Sequence, residues 1–112
     1  MYKTFVNAFN GLAFFFKKER NGQIQAGVSA VALIAGLYFH ISNTEWIAVL
    51  LCIGAVLSLE IMNSSLEHLC NLVHSAYHPS IKIIKDIAAG AVLFTSVVSV
   101  IIGLLIFLPK IF

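Results

Sequence analysis

The chain has 112 residues, 60% of them hydrophobic and 11% charged, where an ordinary soluble domain is about 45–50% apolar and about 25% charged. A small globule buries the smaller share of its surface, which excludes a water-soluble fold; lipid is the natural solvent, and the length fits one domain over residues 1–112. The net charge of +2 comes with no basic stripe and excludes a nucleic-acid binder.

Cys52 and Cys70 fall on one predicted helix, about 27 Å apart at about 1.5 Å per residue. A disulfide spans about 4.4–6.8 Å, so both are expected as free thiols.

Phe5, Phe9, Leu12, Ala13 and Phe16 stand at offsets 0, 4, 7, 8 and 11, one face of a helix over about residues 2–17. Lys3, Thr4, Asn7 and Asn10 occupy the other side, blurred by Phe14 and Phe15. The expected placement is in the membrane surface, with the aromatics dipped into the acyl boundary; a short soluble core helix is the competing reading. Lys17-Lys18-Glu19-Arg20 follows where a cleavable signal would carry its apolar core and small residues, so this segment is expected to be retained.

An uncharged run, about residues 24–41, is close to the minimum that spans a bilayer. Ser42-Asn43-Thr44 turns the chain, and Trp46, a residue suited to the interface, opens a second helix over about residues 46–70. Its first half is apolar; its second half carries Glu60, Asn63, Ser64, Ser65, Glu67 and His68, so the helix should leave the hydrocarbon part way along. A polar connection over residues 74–86 contains Pro79, and residues 87–108 form a third uncharged span. The small-residue patch Ala88-Ala89-Gly90-Ala91 at its start permits close helix approach. Lys17, Lys18 and Arg20 precede the first span and Lys82 and Lys85 the third, which puts the N-terminus and the 74–86 connection on the cytoplasmic side. Lys110 is a minor exception.

Glu60, Asn63, Glu67 and Asn71, at offsets 0, 3, 7 and 11, stack on one helix face. A carboxylate near hydrocarbon costs at least about 2.5 kcal/mol on insertion scales. Mg²⁺, held by one or two carboxylates plus substrate phosphates, would offset two of them. Lys85 can neutralise phosphate as a point charge, and Lys85, Asp86 and Glu19 all fall in the same cytoplasmic layer. The same stripe could also be an inter-helix seam, an ion pathway or a solvated helix end. His74 and His78, at i and i+4 with Cys70 and Glu67 upstream, form a rival transition-metal set, weakened by Pro79. No phosphate-binding G-x-x-x-x-G-K-[ST], no G-x-G-x-x-G and no soluble-kinase H-R-D or D-F-G motif is present.

Glu60-Ile61-Met62-Asn63-Ser64-Ser65-Leu66-Glu67 resembles the E-x-x-N-[ST]-[AS]-[IL]-E signature of the prokaryotic diacylglycerol kinase and undecaprenol kinase family. Lys85-Asp86-Ile87-Ala88-Ala89-Gly90-Ala91-Val92 resembles its K-D-x-[AG]-[AS]-[AG]-A-V stretch, and Glu19-Arg20-Asn21 its first acidic motif. The resemblance implies an all-α membrane protein: a surface helix plus three transmembrane helices, assembled as a homotrimer with shared active sites in the cytoplasmic (inner) membrane. It implies phosphoryl transfer from ATP to a lipid hydroxyl. Glu60 would be the general base and Asn63 would orient the same layer. Glu19 and Glu67 would hold Mg²⁺ against the ATP phosphates, Lys85 would contact phosphate, and Asp86 would sit in the nucleotide site. Two departures are evident: Asn71 stands where many members carry Asp, and Gln23 where a basic residue is common. Overall likeness, including Glu19-Arg20-Asn21 and Ala88-Ala89-Gly90-Ala91, favours undecaprenol over diacylglycerol as substrate. A small transporter using the carboxylate stripe, or a family member that only binds lipid, are the non-enzymatic alternatives.

Overall fold

A computed structural model describes residues 1–74 and 76–112 as four helices: α1 (Tyr2–Lys18), α2 (Arg20–Tyr38), α3 (Asn43–Val73) and α4 (Pro79–Ile111). α3 and α4 form the most extensive interface, with α2 on α3 and α1 on α2. The chain measures 50 × 37 × 21 Å, set by the long pair.

Each boundary has a local cause. Ser42 accepts from the Glu45 backbone N–H while the Glu45 carboxylate accepts from the Ser42 N–H, a capping box that starts α3. The Ile41 N–H bonds to Gly36 O and the His40 N–H to Leu37 O, with His40 at φ 52°, so α2 ends in a Schellman motif. Gly36 lets the Trp46 ring lie directly on α2: a Cβ there would stand 2.6 Å from the ring. α4 begins earlier than the apolar run predicts, at Pro79 instead of residue 87. Hydropathy marks only what lipid covers; the helix itself starts where His78 accepts from the Ser80 N–H and proline supplies a helical φ. Ser75, in the expected 74–86 connection, lies outside the described residues.

The packed core is small and sits at the end remote from Glu60: Ile41, Val49 and Ile106, flanked by Phe39, Trp46, Ile102 and Phe107. Large apolar side chains along α4, such as Leu93, Phe94 and Leu105, are exposed instead of buried. α3 and α4 are long and apolar enough to cross a membrane, and only 6% of the apolar window of α4 is covered by protein, unlike the core helix of a soluble domain. α2 does not reach that hydropathy among the described residues, because Arg20, Asn21, Gln23 and Gln25 occupy its first turns. Cys52 and Cys70 are free thiols, as expected.

At the α1–α2 corner, Gly22 is buried and a Cβ would meet the Phe15 carbonyl oxygen at 2.7 Å and its ring at 2.8 Å. Backbone cannot yield as a side chain can. Gly22→Ala is therefore expected to destabilise by about 1–3 kcal/mol, despite the better helix propensity of alanine, which favours it by about 1 kcal/mol. Thermal unfolding in detergent micelles measures this; an unchanged midpoint would show that the corner is not tight.

Candidate active site

The corner matters because Glu19 sits in it. Glu19 is the one extended residue between two helices (φ −94°, ψ 124°). Its N–H caps α1 on Phe15 O and its carbonyl accepts the Gln23 N–H of α2. Gln23 also donates its side-chain amide to Lys17 O at 3.0 Å, so this departure from the family pattern closes the corner. The Glu19 side chain then crosses to α3. Ser64 Oγ donates to its Oε1 at 2.9 Å, and His68 Nε2 lies 2.5 Å from the same oxygen. Hydrogen bonding first to His68 and then to Ser64 holds the Glu19 carboxyl below its ordinary 4.5. The sign is that of a depressed acid: the tie is complete at neutral pH and is lost only as pH falls through that lowered value.

α3 supplies the rest in steps of three and four residues. Glu60 and Asn63 are buried, 6% and 5% exposed, in a chain that otherwise hides few polar groups. Asn21 Nδ2, from the first turn of α2, donates to Glu60 Oε1 at 3.4 Å. Asn63 Nδ2 donates to Glu67 Oε1 at 3.3 Å. The Asn63 Oδ1 has no partner among the described residues, and an unmet buried acceptor costs about 1–3 kcal/mol. Glu60, Asn63 and Glu67 line a cleft of about 350 Å³ with Asn21, Gln25 and the Ala89–Ser96 face of α4. The small Ala89 and Ser96 leave that space open. A second cavity of about 500 Å³, almost wholly apolar, runs between α2, α3 and α4 toward Phe107 and shares Gln25 and Ser96 with the first.

Beyond Glu67 the stripe continues to Asn71, whose Oδ1 accepts from Lys85 Nζ of α4 at 2.7 Å. The neutral amide still anchors the lysine. Asp86 is not in the cleft: it pairs with Lys82 Nζ at 2.6 Å on the exposed side of α4. The sequence-predicted residues are thus grouped unevenly. Glu60, Asn63 and Glu67 share a cleft, Glu19 reaches the adjacent Ser64–His68 face of α3, Lys85 stands one turn farther out, and Asp86 lies outside the cleft. Asn21, Ser64 and His68 enter only with the structure, because 39 to 49 residues separate them from the carboxylates they bond.

His74 and His78 stack edge to face at 5.3 Å, and His74 Nδ1 bonds to Ala76 O. Among the described residues, no three His, Cys, Asp or Glu side chains gather into a metal cage, so the rival transition-metal set does not assemble. The carboxylates of Glu19 and Glu67 are hard oxygen donors held on adjacent faces of α3, Glu19 by Ser64 and His68 and Glu67 by Asn63, donors that suit Mg²⁺ shared with phosphate oxygens better than a closed protein site.

The family model for prokaryotic diacylglycerol kinase matches residues 6–107. An undecaprenol kinase of Bacillus subtilis (strain 168) is 44% identical over 109 residues, covering 97% of this chain and 89% of that protein. A diacylglycerol kinase of Synechocystis sp. (strain ATCC 27184 / PCC 6803 / Kazusa) is 33% identical over 107 residues, covering 95% of this chain and 61% of that longer protein. With both kinds of relative aligned along nearly its whole length, the chain belongs to the prokaryotic diacylglycerol kinase family and is a lipid kinase.

Proposed function

We propose that the chain phosphorylates undecaprenol, using ATP and Mg²⁺, at the cytoplasmic end of α3. The observation that carries this reading is the joined pair of cavities: a carboxylate cleft that shares Gln25 and Ser96 with an apolar cavity along the helices. A lipid alcohol has that polarity, with its hydroxyl at Glu60 and its tail against Val28, Val31 and Val56. The 44% identity to an undecaprenol kinase favours a polyprenol over diacylglycerol.

The residues divide the work by depth along α3. Glu60, the most buried, takes the hydroxyl proton as general base, and Asn21 steadies its Oε1. Asn63 orients the layer, its amide on Glu67 and its Oδ1 left as an acceptor. Glu67 and Glu19 are the carboxylates that would hold Mg²⁺, which supplies charge neutralisation for the transferring phosphoryl group. Lys85, anchored by Asn71, faces the phosphates farther out, and Asp86 contributes to the nucleotide site from the rim.

The same reading makes α2 a third span: 19 residues reach about 28 Å, against about 30 Å of hydrocarbon. It places α1 on the surface of the cytoplasmic membrane, with its exposed Phe5 and Phe9 toward lipid. Lys110, the one basic residue against this orientation, is paired with Glu45 at 3.2 Å, which weakens its vote. A homotrimer would cover the open side of the cleft and the exposed apolar faces of α3 and α4.

The test is phosphorylated lipid formed from undecaprenol or diacylglycerol by purified protein in lipid micelles with Mg²⁺-ATP. Preferential product from undecaprenol is expected. Preference for diacylglycerol would reassign the substrate, and no product from either would overturn the kinase chemistry proposed for this cleft.

A further inference from the structure

We propose that His68 is a positioning residue for Glu19, fixing the carboxylate that the functional reading above gives to the metal. Glu19 is the extended residue linking α1 and α2, where a carboxylate side chain has several rotamers open to it. Two donors on α3 select it. Ser64 and His68 stand at i and i+4, one helical turn apart on a single face, and both reach Glu19 Oε1. A carboxylate only accepts, so Nε2 of His68 carries the hydrogen. Both bonds fall on Oε1 and neither on Oε2.

One aromatic ring lies beside His68. The Phe14 ring, from the last turns of α1, packs edge-on against the imidazole at 5.9 Å and 67°. The imidazole is otherwise 61% exposed, against 27% for the Glu19 side chain, so burial gives it no reason to lie here. The hydrogen bond does. His68 thereby ties three elements together: the surface helix through Phe14, the corner through Glu19, and α3 through its own backbone. Glu67 precedes it directly in sequence and takes its own donor from Asn63. Each proposed metal carboxylate is therefore oriented by a neighbouring donor on α3, the arrangement by which outer partners set ligand orientation, worth about 10–100-fold in metal affinity.

The experiment uses the full chain in lipid micelles and the variants His68→Ala, His68→Gln and Phe14→Leu. Mn²⁺ bound together with a β,γ-methylene ATP analogue is followed by water-proton relaxation enhancement, and the Mg²⁺ dependence of turnover is measured alongside. His68→Ala is expected to raise the Mn²⁺ midpoint about tenfold, with a smaller effect on kcat at saturating metal. His68→Gln, which keeps an N–H at the Nε2 position, is expected to return the midpoint to within about threefold of the parent, and Phe14→Leu to leave it near the parent. An unchanged midpoint in His68→Ala would overturn the proposal. So would a shift reproduced by Phe14→Leu, because ring packing and not the hydrogen bond would then be the cause. Should the parent protein bind Mn²⁺ and the nucleotide analogue yet phosphorylate neither lipid alcohol, the kinase chemistry fails while the midpoints still decide the role of His68.

Discussion

Glu60→Gln is expected to reduce turnover about 10²–10⁴-fold, the usual contribution of a positioned general base, while leaving the fold and the oligomeric state as they are. The substitution is nearly isosteric, so the 6% exposed site gains no cavity. Gln keeps an Oε1 that can accept from Asn21, so the link from α2 to α3 survives. What it loses is the capacity to take a proton. Initial rates of lipid phosphorylation, read beside size-exclusion and thermal-unfolding profiles, separate the two effects. Turnover equal to the parent's would remove Glu60 from the chemistry. Loss of rate together with loss of assembly would mean that the carboxylate holds the helices and not the proton.

Much of this arrangement is legible along the chain, for reasons that particular residues make plain. A three-to-four-residue stripe on one helix needs no tertiary information, so Glu60, Asn63 and Glu67 could be grouped from spacing alone. The two long spans follow from uninterrupted apolar runs, although hydropathy could not see that α4 starts at Pro79. The Ser42–Glu45 capping box adds a first turn to α3 ahead of the start expected at Trp46. Contacts between helices were not legible: nothing local links Glu19 to Ser64 and His68, 45 and 49 residues away. Asp86 shows that sequence adjacency does not give side-chain direction. Adjacency to Lys85 grouped the two in one motif, yet neighbours on a helix point about 100° apart, and Asp86 turns to Lys82 at i−4. The departures at Gln23 and Asn71 also acquire physical meaning only in three dimensions, one as a backbone cap and the other as the acceptor that keeps Lys85 in place.

Glu67→Ala is expected to raise the Mg²⁺ concentration needed for half-maximal turnover by at least about tenfold. Glu67 is exposed at the rim of the cleft, so truncating it opens no core cavity, and its removal frees the Asn63 amide, which can turn to the space left. The loss should therefore fall on metal use more than on stability. Excess Mg²⁺ should recover part of the rate, because Glu19 remains fixed by Ser64 and His68 and the phosphates supply further oxygen ligands. That partial recovery is the discriminating outcome. For Glu60→Gln no Mg²⁺ concentration should restore turnover, since the missing function is proton transfer. A Glu67→Ala protein whose Mg²⁺ dependence matches the parent's would take Glu67 out of the metal set, whatever happened to its rate.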